Sequence, residues 1–90
     1  ASDPDASGDT AILLDADLAV LASEPAAYST YLAAVRGEFR HIGDDEWRVG
    51  RAEVLRSFLD RPNIFATAYG RATWEQPARA NLTAELATLS

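Results

Sequence analysis

The chain has 90 residues, a net charge of −6 and no cysteine, which suits one small domain or part of a larger one and excludes disulfides and thiolate metal sites. Hydrophobic residues make up 48% and charged residues 24% of it, too apolar for a disordered chain. All eight basic residues are arginine and none forms a run, which argues against a duplex nucleic-acid binder, and no apolar stretch reaches the length of a membrane span.

Alanine is abundant, while glycine, proline and β-branched residues are few. This composition favours helix, and with the elements read below it predicts an all-α fold, an antiparallel bundle of about four helices. With no signal peptide in view, a cytoplasmic location is the expectation. The chain lacks methionine and opens on Ala1-Ser2-Asp3-Pro4-Asp5, which reads as the interior of a loop, so we expect a segment of a longer protein.

Residues 1–10 are acidic, small and turn-forming, and predict an exposed, mobile loop ahead of a helical unit over residues 11–90. Asp3, Asp5, Ser7, Gly8 and Asp9 imitate the first positions of a calcium loop, but Leu14 stands where the bidentate glutamate is needed. A solvated loop is the better reading.

The first helix is predicted from Thr10 or Ala11 to Ala22. Ser23 caps a second, with Glu24 and Pro25 in its first turn and an apolar face of Tyr28, Leu32, Val35, Phe39 and Ile42. Gly43 ends it and Asp44 caps the third, which turns Trp47, Val54, Leu55, Phe58 and Leu59 inward and stops before Pro62. A short apolar connector from Asn63 to Gly70 plugs the core edge. Thr73 and Gln76 have capping-box spacing ahead of the last helix, whose stripe is Trp74, Ala78, Leu82, Leu86 and Leu89, with Arg79, Asn81 and Glu85 off it.

Chemistry concentrates in Leu13-Leu14-Asp15-Ala16-Asp17-Leu18-Ala19-Val20-Leu21. Leu14, Leu18 and Leu21 fall at helical spacing and predict a buried stripe with Asp17 beside it. A carboxylate there needs a cation, a metal or several hydrogen bonds. Two acids two residues apart point in different directions, so one of them is favoured for a single ion. His41 is the lone histidine, and without a second histidine or cysteine nearby it reads as a helix-end residue. Arg48, Arg51 and Arg56 read as solvated or ion-paired. Asp15 and Asp17 as plain capping and ion-pair groups, with no site at all, is the blandest alternative.

The run Leu14-Asp15-Ala16-Asp17-Leu18-Ala19-Val20-Leu21, with Tyr28, Tyr31, Val35-Arg36 and Glu38-Phe39, carries a resemblance. So do Gly50-Arg51, Val54-Leu55, Phe58-Leu59, Arg61-Pro62, Ile64-Phe65-Ala66-Thr67, Trp74-Glu75, Ala78-Arg79-Ala80-Asn81-Leu82 and Glu85-Leu86. Together they resemble the C-terminal half of a bacterial family of predicted metal-dependent phosphohydrolases of the HD superfamily. The resemblance implies a helical fold and a divalent-metal site built from a histidine, an adjacent His-Asp pair and a late aspartate. By that resemblance Asp17 is the metal ligand and Asp15 a supporting or alternative group.

The histidine and the His-Asp pair have no counterpart in these 90 residues, and His41 is not followed by aspartate. The expectation is therefore a fragment of a hydrolase acting on a phosphate ester or nucleotide, inactive alone and binding no ion alone. Its partner would be the missing N-terminal half. Manganese, iron, magnesium, nickel and zinc are not distinguishable by ligand type. The competing expectation is a small interaction or oligomerisation module without catalysis, associating through exposed apolar helix faces.

Overall fold

In a computed structural model the described residues are 4–89, with side chains described from Thr10 onward. The fold is all-α, 80% helical, and no strand occurs among the described residues. Helix α1 spans Pro4–Leu18 and runs into a 3-10 turn, Ala19–Ala22; α2 is Pro25–Glu38, α3 Asp44–Leu59, α4 Ala68–Thr73 and α5 Glu75–Leu89. None of these helices is long and apolar enough to cross a membrane.

The helix starts follow from local chemistry. Pro25 occupies the first position of α2, where a missing N–H costs little. Gly43, and not Asp44 as expected, occupies the cap position of α3; Asp44 sits in the first turn with Asp45 and Glu46, where the three acids suit the positive end of the helix dipole. Thr67 caps α4, its hydroxyl accepting from the Gly70 amide at 2.9 Å.

The core lies where α5 packs against α3 and the 3-10 turn. Leu55, Ala78 and Leu82 are fully buried there with Leu21, Tyr28, Ile64 and Phe65. The connector between α3 and α4 supplies two of these, Ile64 and Phe65, so it does plug the core edge. Phe65 packs on Trp74 with ring centroids 5.5 Å apart.

Four further expectations need correction. The backbone is already helical from Pro4, so the stretch read as a loop over residues 1–10 is α1 from Pro4 to Thr10, and only Ala1, Ser2 and Asp3 lie outside the described residues. Pro4 is acceptable in a first helical turn, where a missing N–H costs little. A continuous helix there is also not the backbone of a calcium loop.

Second, α2 ends at Glu38, before Ile42. The Arg36 guanidinium takes the Phe39 carbonyl at 2.8 Å and the Ile42 carbonyl at 2.9 Å, stabilising turns in place of another helical turn. Third, Ser23 does not cap α2: its amide closes the 3-10 turn on the Val20 carbonyl at 3.1 Å, and Glu24 occupies the cap position. Fourth, Val54 is 44% exposed, whereas Ala52 is buried with Leu55.

Gly50 lies mid-helix in α3, and a Cβ built on it meets nothing within 4 Å. Gly50→Ala is therefore expected to stabilise the chain by about 1 kcal/mol through helix propensity and lost unfolded-state freedom. Urea unfolding of the two proteins checks it; an unchanged or lowered midpoint would contradict the open space.

Candidate functional site

The acid that α1 buries is Asp15, 2% exposed, and Asp17 is exposed. This corrects the expected stripe. Asp15, Leu18 and Leu21, each three residues apart, turn inward, the chain tightening from α to 3-10 past Leu18, while Leu14 is 53% exposed.

Asp15 is met by the segment ahead of α4. Its Oδ1 accepts the Ala66 amide at 2.7 Å; its Oδ2 accepts the Thr67 amide at 2.8 Å and the Thr67 hydroxyl at 2.5 Å. Gly70 lies against the same carboxylate, close enough that a Cβ would fall 2.5 Å from Oδ2. Burial opposes ionisation, but the Thr67 hydroxyl, the two amides and the Arg71 charge outweigh it and hold Asp15 below its ordinary value. Both oxygens are committed to the protein.

Asp17, on the same helix turn, helps to line a small hollow of about 70 Å³ together with Tyr31, Arg51, Phe58 and Leu82. Arg51 also belongs to a polar cluster that the sequence did not announce. Glu85 is 8% exposed. It accepts the Tyr28 hydroxyl on Oε1 at 2.5 Å and the Arg51 guanidinium on both oxygens, at 3.0 and 2.6 Å. Burial raises the Tyr28 hydroxyl well above its usual range, and Glu85 raises it further. The same carboxylate outweighs burial at Arg51 and keeps the guanidinium charged. Arg51 is thus ion-paired, as expected, but its partner corrects the α5 stripe: Glu85, expected off it, falls three residues after Leu82 and seven after Ala78 and is buried with both.

Two further side chains fix this region. The Asn81 amide donates to the Leu21 and Ser23 carbonyls at 2.9 and 2.7 Å, tying the 3-10 turn to α5. Glu75 accepts the Ile64 and Phe65 amides and pairs with Arg79 at 2.7 Å, while Arg79 also donates to the Leu59 and Arg61 carbonyls. Asn81 and Arg79 are half-buried polar residues beside an apolar stripe, which is the one signal the sequence offered for them.

His41 is exposed and stacks obliquely near Phe39, 6.2 Å between centroids, remote in role from the two aspartates. Among the described residues no three His, Cys, Asp or Glu side chains come together as an ion site. Comparison with protein families, curated proteins and solved structures returns no match.

The buried carboxylates give a pH dependence. Burial raises Glu75, but the Ile64 and Phe65 amides and Arg79 lower it more, so it too is held down. A depressed folded pKa contributes stability above the unfolded value and loses it as pH falls through the folded one. Stability is therefore expected to be flat near neutrality and to fall as the pH drops below the ordinary values of 4.5 for Glu75 and 3.8 for Asp15. Urea midpoints across acid pH check this, and Asp15→Asn should flatten part of the fall. An unchanged acid profile in that variant would contradict the assignment.

Proposed function

We propose that these residues form the late-aspartate side of an HD-type, metal-dependent phosphohydrolase acting on a phosphate ester or nucleotide. In this reading Asp17 is the acid that faces the ion, and Asp15 positions the turn that carries it. The observation that supports it is the division of labour between the two acids: Asp15 spends both oxygens on Ala66 and Thr67, while Asp17 remains exposed beside a hollow. The histidine and His-Asp pair would come from a segment outside these 90 residues, and the 90 residues alone are expected to be inactive. A bacterial cytoplasmic setting belongs to the same proposal.

The test starts from the reading frame. An upstream histidine and His-Asp pair are expected, and their absence would end this reading. In the full-length product, hydrolysis of a chromogenic phosphomonoester with added manganese is expected to fall about a hundredfold or more in Asp17→Asn, with the unfolding temperature unchanged. Full activity in that variant would overturn the assignment of Asp17.

A second reading, an association module without catalysis, draws on the surface of α1. Ile12, Leu13 and Leu14 are 60%, 66% and 53% exposed, apolar side chains spread around the open side of α1 that a partner chain would cover. Sedimentation over a range of concentrations separates the two: this module self-associates without any response to manganese.

A further inference from the structure

Between α3 and the C-terminal half of α5 lie two adjoining hollows of about 410 and 280 Å³. Ala52, Arg56 and Leu89 line both. Leu86 belongs to the α5 wall, and Val49 lines the larger hollow while 63% exposed. Asp45, Val49, Ala52 and Arg56 follow one another at steps of four, three and four, so they form a single stripe along α3. An acid stands at one end of the stripe and a base at the other, with carbon between. Asp45 is bridged only to Arg48 of its own helix and its side chain is 91% exposed, while Arg56 has no ion-pair partner among the described residues.

Such a stripe is complementary to itself. A two-fold axis passing level with Gly50 and Arg51 lays two α3 helices antiparallel. Each Asp45 then meets the partner's Arg56, and each Val49 falls opposite the partner's Ala52, the smallest side chain of the stripe. Charge narrows the choice further. The chain carries −6, so two copies repel over most of their surface. On this face Asp45 and Glu53 are balanced by Arg48 and Arg56, and the α5 wall of Thr83, Leu86 and Ala87 adds no charge. The apolar groove between α2 and α3, walled by Phe39, Ile42 and Trp47, offers no such pairing.

We propose that the α3–α5 face is the contact of a symmetric dimer, in which two α3 helices cross antiparallel with Asp45 of each copy paired to Arg56 of the other. The surface is separate from the Asp17 hollow and from the open side of α1, so the inference depends on neither functional reading.

Sedimentation of the protein from micromolar to millimolar concentration reads the association. A monomer–dimer equilibrium is expected, weakened as salt is raised. Asp45→Arg sets arginine against arginine at both ends of the contact, and Arg56→Glu sets acid against acid. Each variant alone should weaken the dimer about tenfold or more. Mixed in equal amounts, the two variants pair every arginine with an acid, so the mixture should dimerise about as well as the parent. Both positions are exposed, and circular dichroism checks that the variants keep their helices. Val49→Glu should abolish the dimer, whereas Leu13→Glu on α1 should leave it intact. A monomer at every concentration would overturn the proposal and leave the face to another segment or another protein. So would a dimer of full strength in both charge variants, a mixture that stays monomeric, or a dimer lost in Leu13→Glu.

Discussion

Glu85→Ala is expected to destabilise the chain by about 3–5 kcal/mol, because it strands a guanidinium that has almost no access to water. The Arg51 and Glu85 side chains are only 10% and 7% exposed, and Arg51 reaches its partner in a two-pronged contact. Removing the carboxylate leaves Arg51 without its counter-charge and the Tyr28 hydroxyl without its acceptor. Tyr28→Phe removes one neutral donor and should cost only about 1 kcal/mol. Replacing Arg51 and Glu85 together with methionine should recover much of the loss, since the pair's desolvation cost vanishes with it. Urea unfolding of the four proteins checks the series. A Glu85→Ala loss within a few tenths of a kcal/mol would show that the cluster is not held together in solution.

Gly70→Ala is expected to cost about 3 kcal/mol, although alanine is the better helix former. The added Cβ would fall 2.5 Å from Asp15 Oδ2 and 2.7 Å from Phe65 Cβ. Neither neighbour can retreat cheaply: Asp15 is held by three donors and Phe65 is 1% exposed in the core. The same chemical change at Gly50 meets open space and has the opposite expected sign. Thermal unfolding of the two variants beside the parent therefore tests the packing directly, and a shared direction of shift would refute one of the two environments.

Much of the bundle was legible from periodicity. Ala78 and Leu82 repeat at helical spacing on α5 and are buried against Leu55 of α3, and Pro25, Gly43 and Pro62 mark helix limits close to those observed. The acids were harder to read for a physical reason. Which of Asp15 and Asp17 is buried is decided by the Ala66 and Thr67 groups that close on Asp15 from more than fifty residues along the chain, a contact no local pattern announces. Glu85 was misplaced for another reason: its spacing from Ala78 and Leu82 sets it on the buried face of α5, and only its charge argues for the surface until Arg51 and Tyr28 meet it there. Phe39 and Ile42 continue the spacing of α2, yet Arg36 draws the backbone into turns before either is reached, and both become groove walls.

Ile64, Phe65, Ala66 and Thr67 form an irregular stretch, yet their four consecutive amides are bonded to the carboxylates of Glu75 and Asp15. In hydrogen exchange this has an uncommon consequence. A stretch without regular structure should be as slow to exchange as the helices around it near neutral pH. Acidification that protonates Glu75 and Asp15 weakens all four bonds together, so the segment should begin to exchange as one unit while α3 and α5 still protect their own amides. The chain would then unfold from the middle of its sequence outward, with the connector, rather than a terminus, as its first opening.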